Sequence, residues 1–243
     1  TLMHEIENNL EVILLLVFMV AGIYFMKNLM LAIFTRLFLR VESKVLLSLL
    51  FCFVAAFLSA FLDALTVTAV LIGVGIGFYR IFHLAKSGKN FGDDHNYLDD
   101  SSLDSLGRDQ QEQFKSFLRN LLMHGVVGTA LGGVCTIVGE PQNLLIANVA
   151  DWTFLEFLVV MSPITVPVFF AGMITCFSVE KLKIAGFGTQ LPAEIKEIFA
   201  SYSDFRNENL TDKDKTDLLI ESMVGLLLII ALALHVAEVG LIG

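Results

Sequence analysis

Apolar residues run along this chain in blocks long enough to cross a bilayer, separated by short polar stretches and by one long one. Residues 10–26 form an apolar span of about the length that a hydrocarbon layer of roughly 30 Å requires of a transmembrane helix. Lys27 ends it. Residues 28–44 stay apolar but carry Arg36, Arg40 and Lys44, a pattern that predicts an interfacial helix with its cations among lipid headgroups. Residues 45–79 hold a single charge, Asp63. They are too many for one crossing and few for two plus a turn, which predicts a re-entrant helical hairpin with its tip near residues 62–68. Residues 80–116, rich in Asp, Ser, Asn and Gly, predict a solvated polar loop with helix resuming near Gln110. Residues 117–150 form a further apolar segment, residues 155–179 a transmembrane helix carrying Pro163 and Pro167, and residues 180–216 an amphipathic segment ending in charge. Residues 218–234 predict the last span.

Composition agrees with that pattern. With 56% hydrophobic residues, 17% charged residues and a mean hydropathy of +0.74, the chain belongs to the all-α, polytopic membrane class. It reads as a single membrane domain over residues 1–243. The net charge of −9 indicates no charged partner, because the charges are confined to polar loops. Lys and Arg never form a stripe with interleaved aromatics, which speaks against nucleic acid. If the segments alternate as drawn, all 16 Lys and Arg residues fall on one face, and the positive-inside rule makes that face cytoplasmic. The loop at 80–116 and the segment at 180–216 are then cytoplasmic. Cys52, Cys135 and Cys176 sit in apolar surroundings without metal-ligand spacing and read as reduced packing thiols. His4-Glu5 is not a zinc motif, because the second histidine position is held by Asn8.

Two polar centres interrupt the apolar blocks. The first is Asp63, followed by Thr66 and Thr68. A carboxylate in hydrocarbon faces protein, water or an ion, so Asp63 is a candidate ion-binding and proton-coupling group. It also stands where it can cap the second arm of the hairpin, and the two roles are compatible. Thr66 and Thr68 either line the tip or bond back to helix carbonyls. The second centre is Gly132-Gly133-Val134-Cys135-Thr136-Ile137-Val138-Gly139-Glu140-Pro141-Gln142-Asn143. Gly132 and Gly133 can end a half-helix as left-handed caps, and Pro141 suits the first turn of the next half, so the three predict a structural hinge. Residues 117–150 thus predict a broken helix, the device by which transporters build ion sites near the midplane. Between the halves, backbone oxygens at Val138 and Gly139, the Glu140 carboxylate and the Asn143 amide can coordinate a hard cation, with Glu140 also able to carry a proton. The bland alternative for this stretch is a kink filled by packing. His124, early in this segment, reads first as a buried, hydrogen-bonded histidine rather than a proton relay.

The two centres in this order resemble the ion transporter superfamily of arsenite, dicarboxylate and sodium/proton carriers. Phe61-Leu62-Asp63-Ala64-Leu65-Thr66 together with Gly139-Glu140-Pro141-Gln142-Asn143 is most similar to the NhaB family of bacterial sodium/proton antiporters. The likeness runs through the polar loop and Lys181-Leu182-Lys183. In the dicarboxylate carriers the hairpin tip is Ser-Asn-Thr and the residue before the first proline is Thr. Here these positions carry Asp63 and Glu140, and a carboxylate at each opposes an anionic substrate and favours a cation. The resemblance implies two inverted repeats, each with a hairpin and a broken helix. Only one of each is legible here, so the chain reads as about one half of a carrier whose second repeat lies elsewhere.

What the resemblance implies is a Na⁺/H⁺ antiporter of the bacterial inner membrane, working by alternating access and not an enzyme. Na⁺ would bind at Asp63 and Asn143, helped by Thr66 and backbone oxygens near Val138. Na⁺, H⁺ and the lipid bilayer are then the partners, no cofactor is needed, and a homo-oligomer is compatible with the sequence. The in-class alternative is a sodium- or proton-coupled carrier of dicarboxylate or arsenite. Outside the class stand a non-transporting membrane scaffold and an intramembrane aspartyl protease, the latter disfavoured because its second acid would be Glu140 rather than Asp.

Overall fold

The computed structural model describes residue 10, residues 28–91 and residues 105–233. The span expected at 10–26, apart from Leu10, lies outside the described residues, as do residues 92–104 of the polar loop and the chain after 233. Among the described residues every regular element is a helix. They are α1 (residues 28–40), α2 (Lys44–Leu62), α3 (Ala64–Lys86), α4 (Ser105–Gly133), α5 (Pro141–Ala150), α6 (Phe154–Leu182), α7 (Ala193–Glu208) and α8 (Asp212–Ala233). Local chemistry sets several of the starts. The Ser43 hydroxyl accepts from Leu46 N at the head of α2. Thr153 and Glu156 form a reciprocal capping box at the head of α6.

Helices α2, α3 and α6 are long and apolar enough to cross a membrane. At the helical rise, α2 and α3 measure about 28 and 34 Å. The count that favours a re-entrant hairpin assumes residues spent on a turn, and here the reversal costs only one: Asp63 ends α2 and caps α3. Helix α6 turns a wide apolar surface outward, with Val159, Ile164, Phe170 and Ile174 each more than half exposed. Such a patch suits lipid rather than water.

One register organises the bundle. A Cβ placed on Gly128 would meet the Cys52 carbonyl, one on Gly132 would meet the Ala56 carbonyl, and Thr136 Oγ1 donates to the Ala60 carbonyl. Each pair is 76 residues apart, so α2 and α4 run parallel with their backbones in contact. Helix α3 runs the other way along α4, with Gly75 against Leu122, Gly125 against Leu71 and Thr68 bonded to Thr129. Arms α2 and α3 are therefore antiparallel. Helix α6 is antiparallel to both α2 and α4, with Gly172 against Leu131 and Glu180 bonded to Ser48 and His124.

The Lys44 end of the bundle is closed twice. Glu180, buried on α6, gathers the Lys44 ammonium at 3.2 Å, the Ser48 hydroxyl at 2.8 Å, the His124 ring at 3.1 Å and the Gly188 amide at 2.9 Å. Lys44 is thus drawn into the protein, whereas Arg36 and Arg40 point outward. Beyond that network Phe38, Phe78, Phe114 and Phe199 interlock at centroid distances of 4.3–5.7 Å. This cluster packs α1 and α7 onto protein as well as presenting them at the surface.

The polar loop expected over residues 80–116 is shorter than its composition suggests. Helix α3 continues to Lys86 and α4 begins at Ser105. The reason is burial: Ile81, Phe82 and Leu84 at one side and Gln110, Gln111 and Phe114 at the other pack inward, and tertiary packing outweighs a polar average.

The α2–α4 contact is testable. The Gly132→Ala change would put its Cβ 1.9 Å from a backbone oxygen that no rotamer can move. The melting temperature of the full-length protein in detergent should fall, with a destabilisation of about 1–3 kcal/mol. Gly77→Ala, where a Cβ meets nothing within 4 Å, should be neutral or raise it.

Candidate functional site

The site is assembled where the α2–α3 reversal meets the interruption between α4 and α5. Asp63 takes φ 74° and ψ 140°, a conformation that a residue with a Cβ adopts only when its surroundings enforce it. Two contacts do so. The Asp63 Oδ2 atom accepts from Thr66 N at 3.1 Å and from Thr66 Oγ1 at 3.2 Å, capping α3. The next amide, Ala64 N, donates to the Gly139 carbonyl at 3.2 Å and ties the reversal to the α4–α5 loop. Asp63 is 3% exposed, and its Oδ1 is buried without a hydrogen-bond partner among the described residues.

Residues 134–140 are non-helical and separate α4 from α5. Pro141 occupies the first turn of α5, where its missing N–H leaves no donor unpaired. Asn143, from the next turn, reaches back with Nδ2 to the Gly133 carbonyl at 3.0 Å and the Thr136 carbonyl at 2.8 Å. Thr136 Oγ1 donates to Ala60 O and accepts from Gly139 N at 3.2 Å. One hydroxyl and one amide thereby fold the loop back on itself and onto α2. Glu140 is half-buried at the edge, takes a bond from Gln142 Nε2 at 3.3 Å, and follows Gly139, whose carbonyl holds Ala64 N next to Asp63.

The structure brings Asp63, Thr66, Gly139, Glu140 and Asn143 together. Two expectations change, those for Thr68 and for the paired glycines. Thr68 does not line the tip; its hydroxyl meets Thr129 of α4 at 3.2 Å. Val138 turns its side chain into an apolar cluster with Ile137, Leu144, Phe154 and Phe157, which leaves its backbone for a ligand. Gly132 and Gly133 are not left-handed caps, since both lie outside the positive-φ residues. Their role is close approach: Gly132 admits the α2 backbone, and Gly133 lies against Gly139, whose added Cβ would fall 2.4 Å from the Gly133 carbonyl. The left-handed residue is Asp63 instead, which no glycine or asparagine signals in advance. Thr136 and Ala60 were not singled out as site residues, and the Thr–x–x–Gly spacing in the loop is the one sequence cue that points to the bond between Thr136 and Gly139. His124 lies well inside α4 and is satisfied by Glu180, remote in the fold from Asp63.

The chemistry gathered here is a buried carboxylate oxygen without a partner among the described residues and a second carboxylate on the loop that is bonded to the same reversal. Buried polar atoms of this kind ordinarily have a partner or a bound ion. Hard cations take oxygen ligands, and a carboxylate also takes a proton.

The family model for Bacterial Na+/H+ antiporter B (NhaB) matches residues 1–243. The chain belongs to the NhaB family. It is similar to the Na(+)/H(+) antiporter NhaB of Shewanella pealeana, with 59% identity over 241 residues covering 99% of this chain and 46% of that protein. The same-named protein of Hahella chejuensis is 56% identical over 243 residues, covering 100% of this chain and 49% of its own length. The chain spans about half the length of the curated relatives it matches. No solved structure matches it.

In this NhaB-family chain, Asn143 should act first as the clasp of the broken helix. Asn143→Asp would turn a donor into an acceptor facing two carbonyls. Thermal melting of the full-length protein should show a loss of roughly 2–3 kcal/mol, larger than that of Gln142→Glu at the loop's outer edge.

Proposed function

We propose that this chain supplies the cation-binding half of a secondary transporter that extrudes cytoplasmic Na⁺ in exchange for external protons by alternating access. The carrying observation is the buried Oδ1 of Asp63, without a hydrogen-bond partner among the described residues, at a reversal that Ala64 N ties to the loop carrying Glu140. Two carboxylates in a poorly solvated pocket repel each other when both are ionised, and a cation or proton between them relieves that repulsion. Na⁺ binds at Asp63 Oδ1 with loop oxygens near Val138 and Gly139 and the side-chain oxygen of Asn143, whose amide nitrogen already holds the loop. Protonation of Asp63 or Glu140 removes the charge that holds Na⁺, so each ion empties the site of the other. Thr66 sets the orientation of Asp63 rather than binding on its own. Pro141 and the close-packed Gly132 and Gly133 keep the loop open.

The α2–α3 hairpin returns the chain to the side it came from in this reading, its tip held by the α4–α5 loop through Ala64 N and the Gly139 carbonyl. A second inverted repeat in the remainder of the protein completes the path. The basic ends of the helices face the bacterial cytoplasm. An anion carrier of the same superfamily is the competing reading, and the two acids oppose it.

Everted vesicles containing the full-length protein provide the test. Added Na⁺ should collapse an imposed proton gradient without any added dicarboxylate or arsenite. Asp63→Asn should lower the exchange rate by at least about a hundredfold, equivalent to roughly 3 kcal/mol, while membrane insertion stays normal. Glu140→Gln should weaken the apparent Na⁺ affinity by about tenfold. Exchange that persists in Asp63→Asn, or that requires an anion in the parent, contradicts the assignment.

A further inference from the structure

A second cluster of reactive side chains lies apart from the carboxylate site. Cys52 on α2 and Cys176 on α6 are both buried, with their sulfurs 3.9 Å apart. They come from antiparallel helices, each on the face turned toward the other. The His124 ring from α4 bonds the Glu180 carboxylate through Nε2 at 3.1 Å and lines the same groove as Cys176. Glu180 is itself held by Lys44 and Ser48, so the imidazole beside the sulfur is fixed in orientation. A groove of about 1160 Å³ between α3, α4 and α6 is lined by His124, Cys176, Thr175 and Gly172, among others. It gives a small uncharged molecule a route to the Cys176 sulfur. Cys135, the third cysteine, lies in the α4–α5 loop, where its thiol donates to the Leu131 carbonyl at 3.2 Å.

We propose that Cys52, Cys176 and His124 form a dithiol site that reacts with small hydroperoxides and closes a reversible disulfide between α2 and α6. Cys176 gives its thiol proton to His124 and the thiolate attacks one peroxide oxygen. The O–O bond breaks, Cys176 becomes a sulfenic acid, and the leaving hydroxide takes the proton from His124 to form water. Cys52 then attacks the Cys176 sulfur. The S–S bond forms, the S–OH bond breaks, and hydroxide leaves with the Cys52 proton as a second water. Two thiols and one hydrogen peroxide give one disulfide and two waters, and a dithiol reductant reverses the step. The cross-link fastens the helix that ends in Asp63 to α6. Its effect on exchange rests on the transport reading above, but its formation does not.

The full-length protein in membrane vesicles, carrying Cys135→Ser, is treated with hydrogen peroxide, quenched with N-ethylmaleimide and digested for mass spectrometry. The expected product is a peptide pair joined through Cys52 and Cys176 that dithiothreitol separates. Recovery of both cysteines as maleimide adducts, or as separate sulfinic acids with no joined pair, overturns the proposal whatever the transport result. His124→Gln should slow joining by peroxide about tenfold or more yet leave joining by copper-phenanthroline unchanged, since that reagent needs only proximity. An unchanged peroxide rate, or equal slowing with both oxidants, removes His124 from the chemistry. In the transport assay, oxidation should reduce exchange in the parent and spare Cys52→Ser. Equal loss in both would overturn the functional consequence alone.

Discussion

The backbone contact between α2 and α4 is the constraint on which the rest of the structure depends. Inside a bilayer there is no hydrophobic gain in bringing two apolar helices together, so close association needs small residues that let backbones touch. Here Cys52, Ala56 and Ala60 recur at four-residue spacing on α2, opposite Gly128, Gly132 and Thr136. The shared offset carries the register past the end of α4 into the broken loop. Thr136 lands on the last turn of α2 because Gly128 and Gly132 have already set the axial position. Gly139 then falls within reach of Ala64 N, which brings the loop carrying Glu140 to the Asp63 reversal. A site made of two distant stretches of sequence is thus placed by two glycines that touch neither carboxylate.

At the tip, one carboxylate is asked to do two things. Asp63 Oδ2 is committed to the Thr66 amide and hydroxyl, which satisfies one of the free amides at the head of α3. Oδ1 has no such commitment. A residue retained only as a helix cap would need one acceptor, and Ser or Thr in that position would supply it without burying a charge. The left-handed backbone at Asp63 costs about 1–3 kcal/mol. The bond from Ala64 to the loop and the capping bonds offset that cost, so the geometry is over-determined from both sides.

What was legible in the sequence was chemistry placed where hydrocarbon should be. Asp63, the glycine–proline interruption and Asn143 stand out because polar groups in apolar runs demand a reason, and the structure brings them into one place. Expectations based on local conformation fared less well. Gly132 and Gly133 suggested a left-handed cap, but close packing against another helix uses the same residue, and a single sequence does not distinguish a missing Cβ needed for φ from one needed for space. By sequence alone Thr68 either lines the tip or bonds back to its own helix, whereas the helical turn carries it round to face Thr129. The network of Glu180 with Lys44, Ser48 and His124 was invisible apart from His124, since its members are separated by up to 136 residues and each alone looks like an ordinary interfacial polar group. The polar loop was overestimated because composition averages over both faces of a helix, and one face here is buried.

These contacts also limit how the site can open. With the Ala56 carbonyl 1.9 Å from where a Cβ on Gly132 would stand, a shift of α4 by one to three residues would bring Leu131, Ala130 or Thr129 onto that backbone. The Glu180 network ties α6 to the same pair at the Lys44 end, and breaking a buried ion pair by separation leaves charges unsatisfied in a poorly solvated place. Hairpin and broken helix therefore belong to one body rather than two that part company. If alternating access operates, the movement has to carry Asp63 and the α4–α5 loop together, changing which side of the membrane the intact pair faces. At the opposite end from the network lie the short helix α5, with Val149 turned outward but Leu144 and Ala147 packed inward, and α6 near Pro163 and Pro167, where the proline rings remove helix hydrogen bonds.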